Sequence, residues 1–179
     1  MCDLAGFDFL LYAWGKSSLG DFIAAKSSHG LVAFEFATPG GNAVEKLQER
    51  FPNTVITEHP VEMAETIAAL ARLVDHPDED PGIPLDLRGT DYQKKVWDIL
   101  RDIPVGTTTN YGAIAAEMGT PRDARDVTAA IAANTLAILV PCHRVVKKDG
   151  SLSGYRWGAK RKRELLDRER AARPLRITK

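Results

Sequence analysis

Pro141-Cys142-His143-Arg144-Val145-Val146 sets one of the chain's two cysteines beside a histidine and an arginine, directly after the apolar run 137–140. A thiol attacks as thiolate, and a neighbouring imidazole or cation lowers its pKa from the free value of about 8.5. Both stand within two residues of Cys142. A cysteine after Ile138-Leu139-Val140 also fits plain packing, because free cysteines are among the most buried residue types. Adjacency alone does not join the pair, since successive strand residues face opposite ways. Pro141 changes the geometry. It cannot sit in a central strand, so the run is expected to end there and the backbone to bend, placing Cys142 and His143 beside one cleft.

These residues need a scaffold, and 179 residues with 44% hydrophobic content suffice for one good-sized or two small globular domains. Two cysteines, at positions 2 and 142, allow no disulfide framework, and no Cys/His group has zinc-ligand spacing, so no metal is expected. Cys2 reads as an exposed thiol without a role. Asp3 and Asp8 stand where a secretory signal would be basic, and no apolar run approaches a membrane span. The expected location is a reducing cytoplasm, with no membrane partner. Net charge is zero, but residues 1–90 carry 6 Lys/Arg against 14 Asp/Glu, and residues 91–179 carry 18 against 10. A split of −8 and +8 suggests that the second half faces DNA.

In the acidic half, 9–14, 20–25 and 30–36 read as three short antiparallel strands separated by Gly, Ser, Lys and His turns. Asn42 is expected to cap a helix to about Phe51, 54–58 reads as a strand, and 61–74 has helical periodicity in Met63, Ile67, Leu70 and Leu73. The Pro- and acid-rich stretch 75–84 lies where the charge changes sign, so the domain boundary is placed there. The expected fold class is α/β in the α+β sense. Residues 1–84 form a small domain with an antiparallel sheet plus helices, and 85–179 a mainly helical domain holding a helix-turn-helix and the cysteine.

In the basic half, Thr90 begins a helix with Tyr92, Val96, Trp97, Ile99 and Leu100 on one side, ending at Pro104-Val-Gly106, with Trp97 in the core. A short helix over 111–118, a turn over 119–122 and a second helix over 124–133 capped by Asp123 make the helix-turn-helix pattern. The second helix is poor in the side chains that read base edges in the major groove. Its small residues instead allow close approach to a minor groove, with Arg125 projecting, which favours lesion search over operator recognition. The last helix, 160–172, carries Leu165, Leu166 and Glu169 at helical spacing, and its Lys160-Arg-Lys-Arg163 start reads as a solvated or phosphate-contacting face. Residues 173–179 read as a frayed tail.

Asn134, Pro141-Cys-His-Arg-Val-Val146, Ser153-Gly-Tyr155 and Leu165-Leu-Asp-Arg-Glu169 together resemble the O6-alkylguanine-DNA alkyltransferases, or methylated-DNA-protein-cysteine methyltransferases, in particular the C-terminal half of their bacterial Ada type. The resemblance runs from Leu85 to Glu169 through Arg88-Gly-Thr, Gln93, Val96-Trp97, Ile103-Pro104-Val-Gly106, Tyr111 and Arg125; the N-terminal half agrees in general layout only.

What the resemblance implies is direct repair by a monomer on double-stranded DNA. An O6-alkylguanine, or an O4-alkylthymine, flips out through the minor groove, and the Cys142 thiolate attacks its alkyl carbon, chiefly methyl. The thioether is not regenerated, so each molecule acts once and needs no cofactor. His143 would take the thiol proton through a water, with Glu169 orienting the imidazole. Asn134 would pin the turn, Tyr111 would serve the leaving base or help rotate the phosphate, and Arg125 would fill the gap in the stack. The resemblance also places Thr107, Ala124, Ala129, Ala132 and Ser151 against DNA. It gives Val140, Pro141, Ser153, Tyr155 and Trp157 to the pocket, with the 140 and 141 carbonyls and the Cys142 and Ser153 amides on the base edge. Taken singly, Tyr111 reads as a helix-start residue, Arg125 as a phosphate anchor and Glu169 as a partner of nearby Arg and Lys.

Three departures from the family pattern carry expectations of their own. Asp126 beside Arg125 is expected to weaken DNA binding or to pair with the arginine. Thr135, where proline is common, is expected to loosen the turn. Trp157, where relatives accepting bulky groups have glycine, is expected to favour methyl over benzyl adducts. The competing readings are a non-catalytic damage sensor or DNA-binding regulator on the same fold, a cysteine hydrolase, and a purely structural Cys142. Retention of the cysteine argues against the sensor, in whose class it is replaced, and no oxyanion hole supports the hydrolase. The Cys-rich zinc domain of Ada-type proteins is missing from the sequence, so transcriptional activation by self-methylation is not expected of this chain alone.

Overall fold

The computed structural model describes residues 8–119 and 124–173, so the expected Asp123 cap, most of the 119–122 turn, Cys2 and the tail beyond 173 lie outside the described residues. Strands β1 (Asp8–Ser17), β2 (Gly20–Lys26) and β3 (Leu31–Phe36) form an antiparallel meander. Helix α1 (Ala43–Arg50) then carries the chain to β4 (Thr54–Glu58), which pairs parallel to β1 and gives the order β3-β2-β1-β4. A parallel partner needs such a crossover, which is why β4 departs from the antiparallel pattern. Asn42 holds the position before α1 without a side-chain cap bond.

Alternation along the strands covers both faces of the sheet. Ile23, Ala25, Val32 and Ala33 face Leu47 of α1, whereas Phe22, Ala24 and Phe34 join the larger core with Met63, Leu70 and Val74 of α2 (Pro60–Asp75). That core continues into Val96, Trp97 and Leu100 of α3 (Asp91–Asp102) and into the residues around Cys142. Each large side chain so buried contributes roughly 1.5–3 kcal/mol. Helix α3 begins in a capping box, with Thr90 Oγ1 accepting from Gln93 N and Gln93 Oε1 accepting from Thr90 N.

Strand β3 is buried along its whole length because its outer edge is also closed. Leu31 N donates to Pro84 O at 2.8 Å, Phe34 N to Thr135 O at 2.8 Å, and Ala137 N to Phe34 O at 2.9 Å. An unpaired edge would leave backbone groups without partners. Here the residues ahead of the cysteine close it.

Helices α4 (Tyr111–Met118) and α5 (Ala124–Ala132) form the expected pair, and α3 packs on both. Gly119 ends α4 in the left-handed conformation (φ 62°), which glycine adopts without a Cβ penalty. Trp97 Nε1 donates to Ala130 O at 2.8 Å, tying α3 to α5 from the core, as expected of Trp97. A two-residue parallel pair, β5 (Thr109–Asn110) with β6 (Val145–Val146), brings the start of α4 beside the Cys142 segment, and α6 (Ala159–Ala172) closes the domain. Among the described residues no helix is long and apolar enough to cross a membrane.

Candidate active site

The apolar run ahead of Pro141 is a turn, not the end of a strand, because the side chain of Asn134 rolls it up. Asn134 Oδ1 accepts from Leu136 N at 2.9 Å, while Nδ2 lies 3.3 Å from Leu136 O, 3.0 Å from Val140 O and 3.3 Å from Cys142 Sγ. The turn holds Ile138 at φ 66°, a left-handed conformation that costs a β-branched residue about 1–3 kcal/mol. Thr135, expected to loosen this turn, is tied to the sheet. Its hydroxyl donates to Val32 O at 2.8 Å, a bond that proline could not make. Asn134→Ala leaves the Leu136 N–H without its buried partner, while the Val140 carbonyl keeps Cys142 N at 2.7 Å, and is expected to cost about 1–3 kcal/mol. Urea unfolding measures it, and a loss below about 1 kcal/mol would show that the carboxamide does not hold the turn.

Cys142 opens a single 3-10 turn, Cys142–Arg144, after which Val145 enters β6. His143 is fully buried and points away from solvent, with Nε2 2.6 Å from Glu169 Oε1. Arg144 grips the same carboxylate, its Nε 3.0 Å from Oε2 and its Nη2 2.8 Å from Oε1, and Nη1 donates to Ile103 O at 2.6 Å. Burial pushes the Glu169 carboxyl up, but the hydrogen bonds from His143 and Arg144 outweigh it and leave it at about 2. An ionised Glu169 only accepts, so Nε2 carries the imidazole proton. Burial also holds the His143 pKa below its ordinary value, against the pull of Glu169. His143 is therefore neutral at pH 7, and Nδ1, which has no partner among the described residues, keeps its lone pair. That atom is a base.

The thiol itself does not follow the sequence expectation. Burial pushes Cys142 up to about 11, while the Asn134 hydrogen bond and the charges of Lys162 and Arg156 act the other way. His143 and Arg144, whose proximity suggested a lowered pKa, turn their side chains to Glu169. The resting group is the thiol.

Above Sγ lies a cavity of about 520 Å3, lined by Tyr111, Thr128, Ile131, Ala132, Asn134, Cys142 and the segment Gly154, Tyr155, Arg156 and Trp157. Tyr111 Oη donates to Ser153 Oγ at 2.9 Å, and Tyr155 packs edge-on to Trp157 with ring centroids 5.3 Å apart. Ser153 is buried below this wall and donates to Val145 O. The Val140 carbonyl is taken by Asn134, and Pro141 lines a different groove, with Ile138, Leu139 and Arg144. Ala124, Arg125, Asp126, Ala129 and Ala132 lie on the exposed side of α5, opposite buried Val127, Ala130 and Ile131. Thr107 and Ser151 bond within their own turns, to Pro104 O and Asp149 Oδ1.

Sequence reasoning missed two cations. Lys162 is 1% exposed, not part of a solvated face, and its Nζ donates to Val145 O at 2.5 Å and Ser153 Oγ at 2.7 Å. Burial lowers its pKa. The signal was present, because positions 162, 165, 166 and 169 share one helical face. Arg156 was passed over inside Gly154-Tyr-Arg-Trp and had no comparable signal.

A thiol on a pinned turn, adjacent in sequence to a buried His-Glu-Arg cluster and open to a cavity walled by a helix pair with an exposed small-residue face, defines a helix-turn-helix protein with a candidate cysteine nucleophile. Residues 91–171 match the model of the 6-O-methylguanine DNA methyltransferase DNA-binding domain. The inducible methylated-DNA–protein-cysteine methyltransferase of Bacillus subtilis is 36% identical over 85% of this chain and 86% of its own length. The Escherichia coli bifunctional transcriptional activator/DNA repair enzyme Ada is 39% identical over 88% of this chain, which spans 45% of Ada. The crystal structure of Mycobacterium tuberculosis OGT in complex with DNA superposes with a TM-score of 0.73 at 33% identity, covering 90% of this chain and 93% of that one. The chain belongs to the methylated-DNA–protein-cysteine methyltransferase family.

Proposed function

We propose that this protein repairs DNA directly, transferring the alkyl group of O6-alkylguanine, chiefly methyl, and that of O4-alkylthymine, to Cys142 in one irreversible turnover. The observation that carries this reading is Cys142 Sγ at the floor of a base-accessible cavity, 3.3 Å from Asn134 Nδ2, with a neutral histidine base on the next residue. Duplex DNA meets the exposed face of α5, Arg125 enters the stack, and the lesion flips into the cavity. The thiol proton passes through one water to His143 Nδ1 as sulfur attacks the alkyl carbon. The carbon–oxygen electron pair stays with the base, which takes a proton from Tyr111 Oη. The imidazolium so formed is held by Glu169. The cytoplasm as the place of action, and a boundary near residue 84 within a continuous core, belong to the same reading.

Intact and peptide mass spectrometry after incubation with a duplex carrying one O6-methylguanine tests it, with Cys142→Ala as control. The expected result is a gain of one methylene on the Cys142 peptide, at no more than one per molecule, and none in the variant. An unmodified wild-type protein that still binds the lesion would make this a damage sensor instead, and turnover would exclude single use.

A further inference from the structure

Glu35 is a carboxylate near the end of β3, only 9% exposed, where a buried charge is costly without partners. It has two. Arg50 of α1 donates from Nη1 to Oε2 at 3.2 Å, and Arg156 of the cavity wall places Nη2 2.8 Å from Oε1 as an ion pair without hydrogen-bond geometry. The other terminal nitrogen of Arg156 lies 3.2 Å from Ala132 O and 3.3 Å from Asn134 O, the carbonyls at the end of α5. Its guanidinium carbon is 5.7 Å from the centroid of the Trp157 ring, within cation–π reach. One guanidinium therefore joins the N-terminal sheet, the end of the DNA-facing helix and the wall of the cavity.

The wall needs such a tether. Tyr155, Arg156 and Trp157 stand between Gly154 and Gly158, and nothing crowds either glycine. Behind Trp157 lies a second cavity of about 340 Å3, lined by Glu35, Phe36, Lys46 and Arg156, so the indole divides one void over Cys142 from another against the sheet. The Trp157 backbone is fixed separately, by Arg161 Nη1 on its carbonyl at 2.8 Å, while Arg161 Nε holds Leu19 O at 2.8 Å. The ring itself meets the Tyr155 edge and the Arg156 guanidinium, and Glu35 is the contact that ties Arg156 to the sheet.

We infer that Glu35 is a positioning residue for alkyl-group selection: through Arg156 it holds Trp157 forward over Cys142 and bars groups bulkier than methyl from the cavity. This rests on the alkyl-transfer reading above. Without the Glu35 contact the ring has a void to retreat into, the front cavity deepens, and a benzyl group gains room beside Sγ.

Single-turnover rates on duplexes carrying O6-methylguanine or O6-benzylguanine test this, expressed per active molecule so that misfolded protein does not count. Glu35→Gln is expected to raise the benzyl-to-methyl rate ratio about tenfold, the size of effect usual for residues in one network. Glu35→Asp, which keeps the charge but shortens the reach, is expected to move the ratio the same way by less, and it serves should the glutamine variant not fold. Arg50→Ala, which removes the partner remote from the cavity, is expected to leave the ratio unchanged. In an Arg156→Gln background, Glu35→Gln is expected to add nothing further. A ratio unmoved by either Glu35 variant, or both rates falling together, overturns the inference. A wild-type protein that transfers no methyl overturns the function reading instead, so the two failures are distinct.

Discussion

Glu169→Gln is expected to slow methyl transfer by roughly two to four orders of magnitude, the range for loss of a general base or of the acid that orients it. It is also expected to destabilise the fold by about 3–5 kcal/mol, the usual result of breaking a buried ion pair. The carboxylate is completely buried and accepts from His143 Nε2, from Nε and Nη2 of Arg144, and at 3.4 Å from Gly106 N. A neutral amide offers only one oxygen to these donors and turns its own N–H groups toward them. Arg144 is then a buried charge without a counter-ion, and His143 loses the acceptor that fixes its proton on Nε2. Single-turnover kinetics and urea denaturation measure the two effects, and a variant within about threefold of wild type in rate would remove Glu169 from the mechanism.

The same group sets an acid limit on the fold. A carboxyl lowered from 4.5 to about 2 contributes stability that is fully present above pH 4.5 and is lost as pH falls through that interval. Glu169→Gln abolishes this part of the acid transition.

Cys142 is expected to react with iodoacetamide roughly 100-fold more slowly at pH 7 than an unhindered cysteine, since a pKa raised from 9.0 to about 11 depletes the thiolate by that factor. The reagent rate should climb with pH toward 11 and become ordinary once urea unfolds the chain. Methyl transfer from DNA should lack that climb between pH 7 and 9, because the proton leaves to His143 Nδ1 during attack and not to bulk hydroxide beforehand. Because the folded state binds the thiol proton more tightly than an ordinary cysteine at 9.0, this site also lowers stability as pH rises from 9 to 11. Rapid labelling of the folded protein at neutral pH, at the rate of a small thiol, would contradict the buried resting thiol.

The elements were largely legible in the sequence: short apolar runs between turn residues marked the strands, and spacings such as Met63, Ile67 and Leu70 marked α2. Cys142, His143, Asn134 and Glu169 were legible as a set only through their family resemblance. What their neighbours do was not, because it depends on side-chain direction. His143 and Arg144 are adjacent to Cys142 yet aim at Glu169, so a rule based on proximity gave the wrong sign for the thiol pKa. Arg156 reaches Glu35 across 121 positions, and Lys162 dips beneath a run of charges; neither is a pattern of local sequence.

The edge pairing of β3 carries a consequence for how a newly made molecule becomes competent. Thr135 reaches Val32 across a separation of 103 residues, and the contacts of Phe34 with Thr135 and Ala137 span as far. Closing so long a loop is entropically slow and is repaid only when both halves are already in place. The turn that mounts the nucleophile is therefore expected to complete late, after the sheet that templates it. A chain with only its helical half in order has a cysteine but no seat for it. On the proposed single transfer to Cys142, this ordering is expected to keep an unfinished molecule from being consumed, so that activity would follow folding time as well as synthesis.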